Sequence, residues 1–574
     1  MTDVRSANAT NMTVAEVVAA ALHRHGVDLT FGQSIPSSFQ LAASDIGIRQ
    51  IGYRTENAGT AMADGYARMS NRIGVVTAQN GPAATLLVPG LAEALKSSIP
   101  ILALIQDVPC DAVDRNAFQE FDHVDLLRPV TKWVRRCADA SRIDDYVDMA
   151  VTAATSGRGG PAALLIPMDV FSQRTTRPSD RTARFGTFPL DRTVAEPVAV
   201  ARAANLLAMA ERPLVVAGGG VHLSGAHAAV AALQADADLA VATTIMGKGS
   251  VDERHPLSIG VAGHIMGVRG MARHLRPLFD EADVILLVGT RTDQNATDDW
   301  TLFPPTATII HLDLDGGEIG RNFEAVRLVG DAGATLVALS EALAKRDLTK
   351  RRAARSELEA RISAARDAHR AEAEPMTGSD ARPIRPERVM AEVARQLTPD
   401  TVVVSDASFS HVWTANYLPA LRPGMRMLQP RGLAGLGWGL PMALGAKLAA
   451  PDCPVLVFAG DGGFGHVWSE LETSRRMEVP VVMTVFNNQA LGFQALAETL
   501  RYGRHTDACD FAPVDHAAIA EACGCHGVRI EDPNDYQNAL RTALSADRTT
   551  VIDVITDPAA FPPIGLFDEV AGGG

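Results

Sequence analysis

The sequence has no surplus of basic residues and no apolar run long enough to cross a membrane. Lys and Arg together number 53, Asp and Glu number 67, and the formal net charge is −14. This balance argues against nucleic acid or an anionic membrane as the main partner. A spanning helix needs about 20 consecutive apolar residues, and the polar segment 1–13 has no apolar core. We therefore expect neither a membrane span nor export, but a soluble cytoplasmic protein.

Cysteine is also scarce, and the six cysteines lack the spacing of a disulfide framework or a zinc site. This usage is typical of a reducing compartment. Only Cys523 and Cys525 lie close together in the sequence. Because no second pair and no flanking histidine accompany them, we interpret them as small packing residues rather than metal ligands.

Apolar runs and helical patterns alternate along the chain, which at 574 residues is too long for a single core. This alternation predicts βαβ units and parallel sheets, hence an α/β fold with three doubly wound domains. We place the domains at residues 1–185, 195–345 and 386–574, with a linker helix and a Pro-rich step at 346–385. The Arg-, Thr- and Pro-rich stretch 172–196 predicts a further linker.

One stretch contains two apolar runs that each end in a polar turn. The run 455–459 ends at a Gly-Asp-Gly turn around Asp461, and the run 479–486 ends at an Asn-Asn turn that includes Asn488. A helical segment separates the runs, so the pattern predicts strand, helix, strand. The turns would lie at the carboxyl ends of adjacent parallel strands, where open α/β sheets bind their ligands. We therefore expect Asp461 and Asn488 to meet in space.

The chemistry of these turns suits a hard cation. The Asp461 carboxylate, the Asn488 amide oxygen and the backbone carbonyl of Ala490 predict a Mg²⁺ site completed by phosphate oxygens and water. The amino end of the following helix favours the phosphate charge. A Gly-Asp-Gly turn alone is common in loops, but with the Asn-Asn turn at this distance it predicts a metal diphosphate site. The glycines that let a phosphate approach the main chain are Gly460, Gly462 and Gly463.

This joint pattern resembles the cofactor-binding motif of thiamine-diphosphate enzymes. Further segments look like the acetolactate synthase group of that family, and they follow the family order over nearly the whole chain: 54–58 with 63–68, 80–85, 117–120 and 432–441. From these segments the chain is identified as a member of the thiamine-diphosphate family that resembles acetolactate synthases.

The resemblance implies a pyrimidine-binding first domain, a middle domain and a diphosphate-binding third domain. It implies thiamine diphosphate and Mg²⁺ as cofactors, held between the first domain of one subunit and the third domain of another. A homodimer is then the minimum active unit, and a homotetramer is expected. The implied partner is a small-molecule 2-oxo acid or related carbonyl compound, with no nucleic acid and no membrane.

The resemblance gives Glu56 the central acid–base role. Glu56 follows an apolar strand and opens a helix, a position where a lone carboxylate is ordinarily a surface cap. In the family, the matching glutamate binds ring nitrogen N1′ and promotes the tautomer whose exocyclic nitrogen removes the C2 proton. A buried carboxyl away from cations has a raised pKa, as proton sharing with the ring requires.

The resemblance also implies further contacts with the cofactor or substrate. The carbonyl of Ala434 would accept a hydrogen bond from the aminopyrimidine, and Leu436 would wedge between the two rings. Many synthases have glycine and methionine at these positions, which lie in the segment 432–450 that we predict to be a Gly-rich helix. Gln119 would be a second catalytic residue that orients substrate or a water. The remaining residues that match cofactor contacts are Pro82 and, near the diphosphate, His411.

The middle domain carries a weaker signal. The synthase motif Arg-Phe-Asp-Asp is replaced by Arg-Thr-Asp-Gln at 291–294. FAD is therefore left open but disfavoured, and ADP or no ligand are the alternatives.

The first domain lacks residues that simple 2-oxo-acid decarboxylases have, and this reduces the number of reaction classes to consider. Simple 2-oxo-acid decarboxylases have paired histidines there, but Gln33-Ser34 and Gln79-Asn80 stand at the comparable loops, so no proton donor for aldehyde release is evident. We expect a carboligase or lyase that decarboxylates a 2-oxo acid and transfers the acyl-anion equivalent, an enamine, to a second carbonyl substrate. The alternatives are a C–C lyase or hydrolase of a 2-hydroxyacyl-CoA or a diketone, a simple decarboxylase, and a non-catalytic cofactor-binding protein.

Overall fold

The computed structural model describes residues 10–177 and 181–568, so most of the polar amino terminus lies outside it. Three six-stranded parallel sheets surrounded by helices confirm the predicted α/β class. No helix among the described residues is long and apolar enough to cross a bilayer. Two compact units form: the first has residues up to 191 with 430–452 and 467–480, and the second has 192–429, 453–466 and the residues from 481 onward.

The amino-terminal sheet lies in the first unit. The strands of this part of the chain are β1 (Thr10–Thr13), β2 (Leu29–Gly32), β3 (Arg49–Ile51), β4 (Gly74–Gln79), β5 (Ile101–Asp107), β6 (Trp133–Arg136), β7 (Ala162–Pro167) and β8 (Arg174–Arg177), of which β2 to β7 form the sheet. The helices are α1 (Val14–Arg24), α2 (Ser37–Asp45), α3 (Glu56–Ser70), α4 (Pro82–Leu86), α5 (Val88–Ser97), α6 (His123–Leu127), α7 (Ile143–Thr155) and α8 (Met168–Phe171). The parallel order is β3-β2-β4-β5-β7-β6. Strand β8 pairs antiparallel with β1, so the predicted linker 172–196 is partly a strand.

The middle sheet lies in the second unit, with the order β11-β10-β9-β12-β13-β14. Its strands are β9 (Pro213–Ala217), β10 (Ala240–Thr243), β11 (Ser258–Val261), β12 (Val284–Val288), β13 (Thr308–Asp313) and β14 (Ala325–Val329). The helices are α9 (Pro197–Met209), α10 (Gly220–Ser224), α11 (His227–Asp236), α12 (Arg276–Asp280), α13 (Ala332–Leu343) and α14 (Thr349–Thr377), the predicted linker helix. Side chains alternate between the two faces of a sheet along each strand. Val215 therefore packs in the hydrophobic core on one face, and its neighbour Leu214 packs in the core on the other face.

The carboxy-terminal sheet also lies in the second unit, with the order β16-β15-β17-β18-β20-β19. Its strands are β15 (Val402–Ser405), β16 (Met427–Leu428), β17 (Val455–Gly460), β18 (Val482–Asn487), β19 (His526–Ile530) and β20 (Thr550–Ile555). The helices are α15 (Pro386–Gln396), α16 (Phe409–Tyr417), α17 (Gly439–Ala449), α18 (Asp461–Gly465), α19 (Glu470–Met477), α20 (Gly492–Tyr502), α21 (His516–Ala522) and α22 (Pro533–Leu544). Two of these helices, α17 and α19, belong to the first unit.

Helices α3 and α17 approach each other closely through glycine. A Cβ built at Gly65 in α3 would overlap the carbonyl oxygen of Met442, and one built at Gly445 in α17 would overlap that of Met62. Glycine inside a helix costs roughly 0.5–1 kcal/mol relative to alanine. The close backbone contact offsets that cost, and it places α17 directly against the helix that Glu56 opens.

The glycine-rich segment 432–450 is helical only from Gly439 onward, so the predicted helix is too long. Ala434 and Gly437 have φ of 60° and 85°, which a right-handed helix excludes. Three successive backbone N–H groups from residue 432 onward donate to the carboxylate of Glu93. The segment bends because this distant side chain binds its N–H groups.

Replacing Gly445 by alanine should destabilise the protein, although alanine is the better helix former. The new methyl group would meet the Met62 carbonyl, which cannot move without a shift of α3. Overpacking of this kind costs about 1–3 kcal/mol, against a gain of at most about 1 kcal/mol in helix propensity. We expect a lower urea midpoint, while the exposed Gly317→Ala, whose Cβ meets only the Asp315 side chain, should leave the midpoint unchanged. An unchanged midpoint in Gly445→Ala would contradict the close contact.

Candidate functional site

Asp461 and Asn488 follow neighbouring strands. Strand β17 ends at Gly460 and β18 at Asn487, and the two strands pair in parallel with Gly460 beside Phe486. Both turns therefore leave the same edge of the sheet, as the pattern predicts. The Asp461 carboxylate accepts a hydrogen bond from the backbone of Gln489, one residue after Asn488. The two motifs are thus in direct contact.

Asp461 is a buried carboxyl group, only 6 % exposed. Burial raises its pKa to about 6, although hydrogen bonds from the backbone of Gly462 and Gln489 act to lower it, and the nearby Asp553 raises it further. A carboxylate in such surroundings is costly unless a cation compensates its charge. The environment of Asp461 therefore fits a bound metal ion.

The glycine turn is packed on one side and accessible on the other. A Cβ at Gly463 would lie 2.5 Å from Oδ2 of Asp406, and one at Gly462 would lie 2.8 Å from a methyl group of Leu491. At Gly460, in contrast, an added Cβ would meet nothing within 4 Å. Glycine is thus required for packing at two positions, and Gly460 offers its main chain to a ligand.

Few oxygen ligands come from protein side chains at this turn. Oδ1 of Asn488 accepts a hydrogen bond from the N–H of Ala490 at 3.2 Å, and Ala490 forms a β-bridge with Asp510. In the described parts of the chain, no group of three or more His, Cys, Asp or Glu residues is arranged to hold a metal ion. A Mg²⁺ ion bound by Asp461, Asn488 and the Ala490 carbonyl would need phosphate oxygens and water as further ligands.

Asn487 has a structural position that differs from that of Asn488. Its side-chain amide donates to the Asp553 carboxylate and to the carbonyl of Val514, both at 3.0 Å. The Asp553 carboxylate also accepts the backbone N–H of His516 at 3.1 Å. Asn487 therefore ties the end of β18 to β20 and to the segment before α21.

Glu56 is the first residue of α3, after the N-cap Thr55. It is 8 % exposed, and burial raises the pKa of its carboxyl group, against a smaller lowering by its own N–H. Among the residues that the structure describes, no other side chain forms a hydrogen bond or ion pair with this carboxyl group. These surroundings fit a group that shares a proton with a ring nitrogen.

The turn that begins α4 at Pro82 packs against the loop that contains Gln119. Gln119 has φ of 61°, and its Oε1 accepts a hydrogen bond from the side-chain amide of Gln79 at 2.9 Å. The side-chain amide of Asn80 donates to the backbone carbonyl of Gln119 at 3.0 Å. Gln119 and Pro82 are therefore held together, and both hydrogen-bond partners of Gln119 are amides.

His123 holds the Gly81–Pro82 turn in place. Its Nε2 accepts the backbone N–H of Gly81 at 2.8 Å, so the ring proton must be on Nδ1. Nδ1 faces the Asp107 carboxylate at 3.5 Å, and Arg136 binds that carboxylate from the other side at 2.6 Å. The histidine is a structural support of the Gly81–Pro82 turn.

Ala434 and Leu436 lie in the loop before α17, which Glu93 holds in place. The buried Glu93 carboxylate accepts the N–H groups of Gly432 at 2.7 Å, Leu433 at 2.6 Å and Ala434 at 3.3 Å. The guanidinium of Arg68 lies 3.6 Å from the same carboxylate. The loop that carries both predicted contacts with the cofactor rings is therefore fixed by a side chain of α5.

His411 lies in α16 and is buried, with its ring centroid 6.3 Å from that of His264. The predicted site residues are divided between the two units. In the first unit are Glu56, Pro82, Gln119, Ala434 and Leu436, and in the second are His411, Gly460, Asp461, Gly462, Gly463, Asn488 and Ala490.

Three protein-family models match the chain in succession. Residues 12–126 match the N-terminal TPP binding domain of thiamine pyrophosphate enzymes, residues 200–339 match their central domain, and residues 406–554 match their C-terminal TPP binding domain. The chain belongs to the thiamine pyrophosphate enzymes. Thiamine pyrophosphate and thiamine diphosphate are the same compound, so the family expected from the motifs is confirmed.

Relatives of this thiamine pyrophosphate enzyme are named acetolactate synthases. It is 34 % identical to an acetolactate synthase large subunit of Parasynechococcus marenigrum, over 94 % of this chain and 87 % of the relative. It is 32 % identical to a probable acetolactate synthase large subunit of Methanocaldococcus jannaschii, over 96 % and 93 %. It is 30 % identical to the acetolactate synthase isozyme 3 large subunit of Escherichia coli, over 95 % and 94 %. The protein is an enzyme of the kind that acts on C–C bonds.

Several polar residues that hold the site of this thiamine pyrophosphate enzyme were not predicted from the sequence. They share one property, a charged or polar side chain at a buried position, and they are Glu93, His123, Asp406, Glu470 and Asp553. Charged residues are rarely fully buried unless they are paired. For Glu93 and Asp553, a single charge within an apolar run is therefore the signal that could have revealed them.

We predict that Asp461→Ala and Asn488→Ala both lose the cofactor. Each change removes an oxygen ligand of the predicted metal, so affinity for thiamine diphosphate with Mg²⁺ should fall by more than the roughly 10–100-fold typical of an outer-shell change. Because burial disfavours the Asp461 carboxylate, cofactor-free Asp461→Ala should unfold no more readily than wild type. Titration calorimetry measures the affinity, with the exposed Asp452→Ala as control. Wild-type affinity in either variant would contradict the assignment.

Proposed function

We propose that this protein is a carboligase that decarboxylates a 2-oxo acid and joins the acyl unit to a second carbonyl compound. Carbon dioxide leaves the donor, a C–C bond forms between the donor and acceptor carbonyl carbons, and the acceptor oxygen takes a proton. Relatives named acetolactate synthase, which align with 94–96 % of this chain, support this reaction class.

The observation that carries the proposal is the environment of Glu56. A glutamate that merely caps a helix is ordinarily exposed, and solvent keeps its pKa low. Glu56 is instead buried, its pKa is raised by burial, and no basic side chain among the described residues pairs with it. Burial makes a carboxyl group of this kind hold a proton more readily than an exposed glutamate, and it can exchange that proton with a ring nitrogen.

When bound, thiamine diphosphate would supply an acidic C2–H and hence a carbon nucleophile for the donor carbonyl compound. Glu56 would exchange a proton with N1′, and the Ala434 carbonyl would accept a hydrogen bond from the aminopyrimidine. Leu436 would hold the two rings at the required angle. Gln119 would orient the substrate or a water, and its loop is already fixed by the amides of Gln79 and Asn80.

The proposal includes Mg²⁺ bound by Asp461, Asn488 and the carbonyl of Ala490. The raised pKa of Asp461 and the oxygen chemistry of the three groups support a hard cation rather than a transition metal. Around the cofactor we further assign Pro82, His411 and the three glycines of the Asp461 turn. The proposal includes no flavin.

Carboligation is favoured over aldehyde release by the groups at the Gln119 loop. The amides of Gln79 and Asn80 bind Gln119 directly, and no histidine or acid occupies their positions. An amide does not deliver a proton at neutral pH. A second carbonyl compound would therefore be the acceptor in place of a proton.

We further propose a cytoplasmic homodimer, or a homotetramer built from it. Apolar side chains near the predicted site are unusually exposed on the first unit, with Phe118 at 82 % and Leu433 at 58 %. Exposed apolar groups of this kind mark protein interfaces. We retain the functional domains at 1–185, 195–345 and 386–574, with the linker at 346–385.

Incubation with thiamine diphosphate, Mg²⁺ and a panel of 2-oxo acids, alone and in pairs, tests the proposed reaction. Mass spectrometry should detect a 2-hydroxy-2-substituted oxo acid one carbon dioxide lighter than the two substrates combined. Aldehyde as the sole product would indicate a simple decarboxylase. Turnover only with a 2-hydroxyacyl-CoA or a diketone would indicate a C–C lyase or hydrolase.

Glu56→Gln should keep the fold and bind the cofactor, but lose nearly all turnover. Glutamine is close in shape and can bind N1′, so the diphosphate anchor should still hold the cofactor. It cannot exchange a proton with the ring, and acid–base assistance of this kind is worth about 10²–10⁴-fold in rate. The loss should appear with every 2-oxo acid and in deuterium exchange at C2 measured without substrate. Exchange at the wild-type rate would make Glu56 a structural residue.

A further inference from the structure

The most completely buried carboxylate near the predicted acid is that of Glu470, the first residue of α19. Its exposure is 0 %. The two oxygens accept the backbone N–H of Arg54 at 3.2 Å each, one of them accepts the N–H of Thr55 at 3.1 Å, and the other accepts the hydroxyl of Thr473 at 2.7 Å. A side chain more than 400 positions away in the sequence therefore binds the two peptide groups that precede Glu56.

Burial of a carboxylate has to be compensated by strong hydrogen bonds. Removing such a charge from water costs several kcal/mol, and N–H groups that point at an anion form hydrogen bonds about twice as strong as neutral ones. Burial raises the pKa of Glu470, while the hydrogen bonds from Thr473, Arg54 and Thr55 lower it. The number and geometry of these donors match the ionised group.

Helix α19 also binds the segment that precedes α3 at two further points. Arg476 donates to the carbonyl of Gly52 at 2.8 Å, and Arg49 donates to the carbonyl of Met477 at 2.6 Å. The segment from β3 to the start of α3 is therefore bound along the length of α19. Glu470 binds the last part of the segment, where the chain turns into the helix.

The position of the Glu56 carboxyl group depends on this backbone. Thr55 is the N-cap of α3, and Glu56 is the first helical residue. Because no other side chain among the described residues binds the Glu56 carboxyl group, its place is set by where the helix begins. The peptide groups that Glu470 binds determine that point.

We propose that Glu470 is a positioning residue that fixes Glu56 for proton exchange with the cofactor. This inference rests on the proposed function, because it concerns the acid of that reaction. Glu470 does not touch the reacting atoms, and its effect acts through the peptide groups of Arg54 and Thr55. Displacement of a reacting group by about 1 Å can lower a rate by about 100-fold.

Glu470→Gln tests the proposal in the full-length protein. Glutamine keeps one acceptor oxygen, but its NH₂ group would face the N–H of Arg54 and can accept nothing from it, so the Arg54–Thr55 segment should loosen. Hydrogen exchange of the peptides that cover 52–58, followed by mass spectrometry without cofactor, should become faster. Affinity for thiamine diphosphate with Mg²⁺ should stay within about threefold. Deuterium exchange at C2 of saturating cofactor should slow by about 10–100-fold.

Two further variants make the result decisive. Glu478→Gln changes an exposed carboxylate at the C-cap of α19, the opposite end of the helix from Glu470, and it should behave as wild type in all three measurements. Glu470→Asp keeps the charge but moves the carboxylate oxygens back by about one carbon–carbon bond. It should therefore show a smaller effect in the same direction. If Glu470→Gln does not fold, the same measurements are made on Glu470→Asp.

Three outcomes would overturn the proposal. One is C2 exchange at the wild-type rate despite faster amide exchange at 52–58, which would show that the segment does not control the acid. Another is an unchanged amide exchange, and the third is that neither variant folds, which would make Glu470 a folding residue. Glu56→Gln separates these results from a failure of the proposed function, since wild-type C2 exchange in that variant would refute the role of Glu56 itself.

Discussion

Buried carboxylates that accept backbone N–H groups hold the loops of the candidate site. Glu93 binds the loop before α17, Glu470 binds the segment before α3, and Asp553 binds the first residue of α21. Backbone N–H groups in loops have no partner in a helix or sheet. An unpaired buried N–H costs free energy comparable to that of a lost hydrogen bond. The carboxylates satisfy these donors and are themselves stabilised by them. Loops that would otherwise be mobile are thereby kept in one conformation, as pre-organised binding requires.

Asp461 differs from these supports in one respect. The backbone N–H groups that act on its carboxylate are those of Gly462, Gln489 and Asp461 itself, and burial outweighs them, so its pKa is raised. Glu56 resembles Asp461 in this respect, because burial is also the largest effect on its pKa and raises it. Burial also raises the pKa of the supports Glu470 and Asp553. Each support, however, accepts a hydrogen bond from a side chain: Ser97 donates to Glu93, Thr473 to Glu470 and Asn487 to Asp553. Among the described residues, no side chain donates a hydrogen bond to Asp461 or Glu56, and this distinguishes the carboxyl groups proposed to act on a ligand from those that hold the loops.

The sequence alone predicted the features that depend on local pattern. Strand runs that end in Asp461 and Asn488 predicted their meeting, because adjacent parallel strands bring their carboxyl ends together. The fold class followed from the alternation of helical and apolar segments. The helix over 432–450 was wrong in its first half, since the N–H groups there bind Glu93, 339 positions before Gly432. Glu470 was missed for the same reason, because nothing in a local pattern indicates which distant backbone a carboxylate will bind.

The route of the chain through its two compact units bears on the order of its synthesis. The first unit includes α17 and α19, yet these helices follow the whole middle domain in the sequence. A ribosome would release residues up to 191 long before the helix that covers the Gly65 face of α3 exists. The amino-terminal sheet can form early, but the apolar surface of α3 stays uncovered until residue 449 has emerged. During that interval the nascent chain would expose an apolar surface that is prone to aggregation. Chaperones bind chains in this state.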